Sequence, residues 1–295
     1  MFRKRGGSMR QLSDHLYAET GYDWANVGAA VTEKGVVLLD CPVRPTDSSH
    51  WLSEVGPLSS RGIQYLIATD YHGDHTTGAA FVGDVHFIAP QYVYGEISKG
   101  ANAFSKEIFT ETLRDQGHVE EADQILEAPV PLPQFCFEDS LILHLSPLTF
   151  EIHRKGGHSP ACTSVLVPEE GVLFSGDVVI NGPSMGMRDA HLGQWIEALS
   201  WVEGLNVDTI VPGHGEICGK DVPRTLRERL TEVLEGMRRL VQEGRSKREA
   251  VEDPSFVKFF HGDASRGAYW LQQRKDTFRE GLERVFEEAK KEVGN

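Results

Sequence analysis

Four side chains that can bind a metal ion stand within six residues, directly after an apolar segment. Residues 66–69 are largely apolar and run into Asp70, His72, Asp74 and His75. Imidazole and carboxylate are ligands that suit zinc and iron, and one short turn can direct several of them at a common point. The spacing therefore indicates a metal site where a strand ends, although a polar loop after a buried strand has the same composition.

Three later stretches repeat the order of an apolar segment, a glycine and a metal ligand. The ligands are His158, Asp177 and His214, and each directly follows a glycine. Short apolar segments that end in glycine are typical of strands that stop at a sharp turn. We therefore expect all four turns to open on one edge of the same sheet assembly, with glycine letting the backbone come close to the ligands.

In chain order, the motifs D-x-H-x-D-H, G-H-S, S-G-D and P-G-H-G resemble those of the metallo-β-lactamase superfamily. The resemblance covers about residues 11 to 218. It implies an α/β fold in the form of an αββα sandwich, with two mixed β-sheets face to face and helices on both outer sides. It also implies that two metal ions lie along one edge of that sandwich.

The resemblance gives each candidate ligand a place in a binuclear centre of two divalent metals, with zinc favoured and iron or manganese as alternatives. It assigns the first metal to Asp70, His72 and His158, the second to Asp74, His75 and His214, and the bridging position to Asp177. In the mechanism that it implies, a metal-bound hydroxide attacks the substrate. Asp74 and Asp177 are then the catalytic residues, because Asp74 orients the nucleophile and Asp177 links the metals.

One position departs from the family motif, which begins with His where this chain has Asp70. The first site then offers two imidazoles and one carboxylate. Two histidines and a carboxylate with open positions are also typical of non-haem iron sites. The identity of the metal, and whether the first site is filled at all, therefore stay open.

The function implied by the resemblance is hydrolysis of an ester, thioester, lactone or lactam bond in a small molecule. A mononuclear non-haem iron oxygenase of the persulfide dioxygenase type is one alternative, favoured by Asp70. A metal-binding protein without turnover is another, if Asp70 leaves no open coordination position. The family alone does not choose the substrate, because one fold hosts many chemistries.

Composition narrows the classes of partner. The 295 residues are 40% hydrophobic and 25% charged, and the net charge of -14 argues against a nucleic-acid partner. No segment approaches the length of a membrane span, and the basic residues at the N-terminus are not followed by the apolar segment of a signal peptide. We therefore expect no membrane partner and, by default, a cytoplasmic protein.

The elements that must position the ligands can be outlined from the apolar pattern. Short apolar segments bounded by turn residues predict a β-meander before residue 40 and paired strands after residue 140. Residues 91–127 are polar and helix-prone, and we interpret them as a helical insertion over the site. The loop after Asp177 is our first candidate for substrate contact, through Met185, Met187 or Arg188.

The chain divides into two parts in this interpretation. Residues 11–220 form the metallo-β-lactamase-like domain, and residues 221–295 form a helical C-terminal extension packed on or beside it. Apolar residues recur at helical spacing in two long runs of the extension. These stripes indicate either core or a dimer surface, so a homo-oligomer formed through the C-terminal helices is a hypothesis.

Overall fold

The computed structural model describes residues 9–100, 102–262 and 267–294. Most of the basic N-terminal segment therefore lies outside the described residues. Residues 263–266 and 295 of the expected C-terminal extension lie outside them as well.

The first sheet contains seven strands that lie side by side in chain order. They are β1 (Arg10–Gln11), β2 (Leu16–Glu19), β3 (Val27–Thr32), β4 (Gly35–Leu39), β5 (Ile63–Ile67), β6 (His86–Pro90) and β7 (Phe135–Phe137). The first four are antiparallel, and β2, β3 and β4 form the predicted meander. From β4 onwards the neighbours are parallel. The chain segments that follow β4, β5 and β6 therefore leave the sheet at one edge.

The second sheet contains five strands in the order β12-β11-β10-β9-β8. They are β8 (Ser140–Leu145), β9 (Leu148–Arg154), β10 (Thr163–Val167), β11 (Val172–Asn181) and β12 (Thr209–Gly215). All pairs are antiparallel except β11 and β12. Both sheets are therefore mixed, as expected.

Helices cover the outer sides of the two sheets. They are α1 (Pro45–Val55), α2 (Gly73–Thr76), α3 (Gln91–Ser98), α4 (Asn102–Asp115), α5 (Val119–Glu127), α6 (Leu192–Gly204), α7 (Asp221–Gln242), α8 (Lys247–Val251) and α9 (Ala268–Val293). α1 and α3 pack on the first sheet through Trp51 and Val93. α6, α7 and α9 share a core with the second sheet. The protein is thus the αββα sandwich predicted from the sequence.

The inner faces of the two sheets form the central core. Side chains alternate between the two faces of a strand, so Val37 and Ile67 point inwards to meet Phe150 and Val165 of the other sheet. The sheets approach closely at Gly28. A Cβ atom built at Gly28 would lie 2.3 Å from Cε1 of Phe174, so this contact requires glycine.

The expected helical insertion consists of α3, α4 and α5, and it contacts the turn that carries the metal ligands. A Cβ atom at Gly73, the first residue of α2, would lie 2.2 Å from Cβ of Ser105 in α4. α4 therefore rests directly on this turn.

The apolar stripes of the C-terminal helices face the protein core. Leu230 and Val233 of α7 pack with Leu282 and Val285 of α9, and all four are fully or almost fully buried. The stripes are thus core, the first of the two alternatives considered. The homo-oligomer and the domain boundary at residue 220 stay predictions. In the described ranges, no helix has the length and apolarity that crossing a bilayer requires.

Phe150 should carry much of the stability of the inter-sheet core, because it is fully buried between the two sheets. We expect Phe150→Ala to lower the free energy of unfolding by about 3–5 kcal/mol, measured by urea denaturation. Ile142→Ala on the adjacent strand is the control. Ile142 is 55% exposed, and its truncation should change stability by no more than about 0.5 kcal/mol. Equal losses in the two variants would contradict the described core.

Candidate metal centre

The ligand-bearing turn between β5 and α2 lies at the sheet edge where parallel strands end. β5 ends at Ile67, and Asp70 and His75 that follow it are 0% and 1% exposed. His158 lies in the connection between β9 and β10, whereas Asp177 and His214 lie inside β11 and β12. The strand pairing is irregular there, with register shifts around Gly176. The register shifts between β11 and β12 bend the strands, so Asp177 and His214 reach the same edge as the turn after β5.

The structure gathers all seven predicted ligands into two adjoining groups. Within each group, the potential ligand atoms lie within 4.8 Å of one another. The first group is Asp70, His72, His158 and Asp177, and the second is Asp74, His75 and His214. This is the division that the resemblance implied, with Asp177 at the boundary.

Asp177 directs one carboxylate oxygen at each group. Its Oδ2 lies 3.1 Å from Nε2 of His158, while its Oδ1 lies 3.4 Å from Nε2 of His214 and 3.5 Å from Nε2 of His75. A Cβ atom at Gly213 would fall 1.9 Å from Asp177 Oδ1, so glycine before His214 makes room for the carboxylate.

Three buried polar atoms of the centre lack a hydrogen-bond partner in the described residues, and two of them suit a bound cation. Nε2 of His75, Nδ1 of His158 and Oδ1 of Asp177 form no hydrogen bond with any part of the chain that the structure describes. Leaving such atoms unpaired in a protein interior costs free energy. Coordination would satisfy the two that face the second group, and imidazole and carboxylate are appropriate donors for zinc, iron or manganese. The residues therefore fit the metals that the family implies.

Comparison with known proteins agrees with this geometry. The family model described as the metallo-beta-lactamase superfamily matches residues 25–214. The chain belongs to the metallo-β-lactamase superfamily. The type 2 metallo-beta-lactamase of Bacteroides fragilis is 20% identical over 77% of this chain and 87% of its own length. The atrochrysone carboxyl ACP thioesterase dmxR1 of Cryptosporiopsis is 23% identical over 77% of this chain and 64% of its own length.

Solved structures share the superfamily fold. A metallo-beta-lactamase from Pontibacter korlensis superposes with a TM-score of 0.61 at 16% identity, covering 76% of this chain and 98% of its own. At this identity the likeness supports the fold alone.

Outer groups orient three of the four imidazoles of this superfamily member. Nδ1 of His75 donates a hydrogen bond to Asp40 (2.8 Å), and Nδ1 of His214 donates to the carbonyl of Trp24 (3.0 Å). Nε2 of His72 donates to Asp189 (3.0 Å). In each case the other ring nitrogen is left to face a metal, which is the usual way in which a protein fixes the tautomer of a ligating histidine.

The sequence carries no signal that pairs Trp24 or Asp189 with a ligand. Asp40 directly follows β4, where the plainer interpretation from the sequence is a carboxylate that completes a turn. Asp40 also accepts hydrogen bonds from the amide and hydroxyl of Thr69, at 2.8 and 2.6 Å. Asp40 and Trp24 both have positive φ, at 56° and 70°, which is unfavourable for residues other than glycine. Their strained backbone coincides with their role as acceptors for ligand histidines.

Asp70, the departure from the family motif, is fully buried and well supplied with hydrogen-bond donors. The Ser159 hydroxyl lies 2.7 and 2.8 Å from its two oxygens, and the amide of Tyr71 donates to Oδ1 at 2.6 Å. Nδ1 of His72 lies 3.5 Å from the same Oδ1. The surroundings thus suit a carboxylate, and Ser159 is the serine of the G-H-S motif.

Burial and charge act against each other on the imidazoles. Burial alone lowers the pKa of His214, but the carboxylates of Asp177 and Asp74 outweigh it and raise the pKa to about 10. In the same way Asp70 and Asp189 overcome burial and raise the pKa of His72 to about 9. The pKa of His75 is raised well above its usual value by Asp177, Asp40 and Asp74 against the effect of burial.

The carboxylates respond in the opposite direction. Burial raises the pKa of Asp177, but His214, His75 and His158 outweigh it and hold the pKa well below its usual range. Burial also favours the neutral form of Asp74, and His75 and His214 reverse that effect to lower its pKa. His158 differs from the other imidazoles because burial dominates and lowers its pKa. Without metal, the centre thus holds ionised Asp74 and Asp177 beside protonated imidazoles, which are those of His72, His75 and His214.

Of the three predicted substrate contacts, the two methionines are buried and the arginine forms an ion pair. Met185 and Met187 are 2% and 1% exposed and belong to the core beneath α7 and α9. Nε of Arg188 lies 3.2 Å from the carboxylate of Glu280. Their role in substrate binding stays a prediction. Asp189, directly after them, hydrogen-bonds to the candidate ligand His72.

Metal binding should release protons at neutral pH. His72 and His214, with pKa values of about 9 and about 10, are protonated at pH 7 and must lose those protons to bind a metal. We expect zinc binding to release about two protons or more at pH 7, measured by calorimetry in buffers of different ionisation enthalpy. The apparent affinity should rise with pH, by about a factor of ten per pH unit for each displaced proton.

The exposed His144 of β8 provides the control, since His144→Gln should release as many protons as the wild type. Zinc binding without proton release at pH 7 would contradict the electrostatic description of the centre.

Proposed function

We propose that this superfamily member is a metal-dependent hydrolase that cleaves an ester, thioester, lactone or lactam bond of a small molecule. The observation that carries the proposal is the position of Asp177, with one oxygen directed at each group of ligands. The names of the relatives support it, because one is a metallo-beta-lactamase and another an ACP thioesterase. The net charge of -14 also favours a small molecule over a nucleic acid.

Two bound divalent metals would supply Lewis acidity for the substrate carbonyl and lower the pKa of water towards neutrality. The chain would hold them through the two groups of ligands, with Asp177 shared. Asp74 is suited to orient the attacking water and to take up its proton. It is ionised, its side chain is 21% exposed, and its Oδ2 lies 3.2 Å from Nε2 of His214.

The side chains available around the attacked carbonyl favour hydrolysis by water. The carboxylate of Asp74 can pass its proton to the leaving group once the acyl bond breaks. Since water is the nucleophile, the hydrolysis needs no serine or cysteine. The thiol of Cys162 is fully buried, and burial raises its pKa well above the usual value, so it is a poor nucleophile at neutral pH.

A second candidate function is oxygenation by a single non-haem iron. The observation that favours it is the first group, in which Asp70, His72 and His158 together provide one carboxylate and two imidazoles. This alternative requires molecular oxygen as a co-substrate, so oxygen uptake distinguishes it from hydrolysis.

The metal content of the protein, purified without added metal, decides between the two functions. Elemental analysis that finds about two zinc ions per chain would support the hydrolase and justify a screen of esters, thioesters, lactones and lactams. One iron per chain with oxygen uptake would overturn the hydrolase in favour of the oxygenase. Metal without turnover in either assay would indicate a metal-binding protein.

Asp177 should be indispensable if the proposal is right. We expect Asp177→Ala to reduce hydrolysis by at least about a thousandfold and to lower the metal content, because both groups lose their shared ligand. Asp84→Ala is the control, since Asp84 is exposed in the turn before β6. It should retain wild-type activity and metal content. An Asp177 variant that kept both properties would refute the assignment.

A further inference from the structure

We propose that α9 of the C-terminal extension is a structural support of the first metal site. It holds residues 182–191, called here the support loop, against His72 and His158. The inference rests on the proposed metal centre, but it does not depend on the reaction that the centre catalyses. It gives the extension a role that the sequence did not reveal.

The support loop joins β11 to α6 and contacts both imidazoles of the first group. Asp189 accepts the hydrogen bond from Nε2 of His72 at 3.0 Å. Gly186, with a φ of +62°, passes so close to His158 that a Cβ atom there would lie 2.9 Å from its Cε1. The position of the loop therefore fixes the orientation of one ligand and limits the space of the other.

One side of α9 follows this loop along its length. Arg274, Gly281 and Glu288 are spaced by seven residues, which is close to two helical turns, so they lie on the same side of α9. The guanidinium of Arg274 donates a hydrogen bond to the hydroxyl of Ser184. A Cβ atom at Gly281 would lie 2.8 Å from Cβ of Met187 and 2.9 Å from its carbonyl oxygen.

The same side of α9 also fixes the end of the loop. Glu288 is 7% exposed, and its two oxygens accept hydrogen bonds from the amides of Leu192 (2.8 Å) and Gly193 (2.7 Å) at the start of α6. The contacts at Ser184, Met187 and Leu192 thus occur in the same order along the loop as their partners along α9. The loop runs beside the helix rather than crossing it.

Charged residues of α9 also reach the part of the loop nearest to the metal centre. Nη2 of Arg284 lies 3.8 Å from Oδ1 of Asp189, whose other oxygen holds His72. Glu280 pairs with Arg188 at 3.2 Å. The loop has no regular secondary structure of its own, so contacts with its neighbours position Asp189. The contacts with α9 and the burial of Met185 and Met187 add to hydrogen bonds that Arg229 of α7 donates to the carbonyls of Gly182 and Pro183.

Movement of the support loop should change the affinity for one metal and not for the other. An outer partner of a ligating histidine typically contributes a factor of 10 to 100 to metal affinity. A shift of the support loop should therefore weaken the metal bound by His72 and His158. The metal bound by the second group should keep its affinity. The outer partners of its histidines are Asp40 and Trp24, which precede the support loop by more than a hundred residues.

The test is a substitution in α9 that should displace the support loop. Gly281→Ala introduces a methyl group against the backbone of Met187, while Gly236→Ala is the matched control. Gly236 is a buried glycine within α7 whose added Cβ would meet only the ring of Phe256, at 3.3 Å. Both changes replace a helical glycine by alanine, so helix propensity changes equally. Zinc affinities of the two sites are measured by competition with a chromophoric chelator.

We expect Gly281→Ala to weaken one zinc equivalent by about 10- to 100-fold and to leave the other at its wild-type affinity. Gly236→Ala should bind both as the wild type does. Asp189→Ala should weaken the same equivalent, and Asp189→Asn, which keeps an oxygen acceptor, should weaken it less. The double variant Gly281→Ala, Asp189→Ala should lose little beyond Asp189→Ala, because both changes act through one contact.

The inference is overturned if a folded Gly281→Ala protein binds both equivalents normally, or if Gly281→Ala and Gly236→Ala weaken them alike. It is also overturned if Asp189→Ala leaves every zinc equivalent that the wild type binds at its normal affinity. Failure of the proposed function gives a different result. In that case the expected affinity pattern appears, but no ester, thioester, lactone or lactam is hydrolysed.

Discussion

The metal centre depends on a carboxylate that the fold buries between two groups of imidazoles. Asp177 is 2% exposed, and an ionised carboxylate at such depth is stable only when opposite charge and hydrogen bonds compensate for the lost hydration. The compensation comes from His75, His158 and His214, which lie in three different segments of the chain. The turn after β5, the connection after β9 and the end of β12 must therefore meet at β11, and the two sheets are arranged so that they do.

The need to compensate the charge of Asp177 also explains the groups that surround the ligands. Each of His72, His75 and His214 can present one nitrogen to the centre because a carboxylate or carbonyl binds the other. Glycine makes room where the backbone approaches the carboxylate most closely, as Gly213 does beside Asp177. Without metal, protons on His72, His75 and His214 offset part of the carboxylate charge, and a divalent ion would replace those protons. The centre is thus electrostatically prepared for cations.

The sequence was sufficient for those parts of the site that are local or that follow a family motif. Asp70 to His75 lie in one turn, so their proximity follows from their spacing alone, and the fold class followed from the order of motifs. Asp189 could not be found in this way. It lies 117 residues from His72, and an acidic residue in a loop carries no signal of its partner. Met185 and Met187 were expected near the substrate because their loop directly follows the bridging Asp177. Their burial could not be predicted, since it depends on the packing of distant residues of α9 against that loop.

The position of α9 at the far end of the chain has a consequence for biosynthesis. All seven candidate ligands have been translated once His214 is made, and both sheets are then complete with β12. The helix that braces the support loop is made only afterwards, from Ala268 onwards. A nascent chain would therefore possess every ligand before it possesses the brace for the first group.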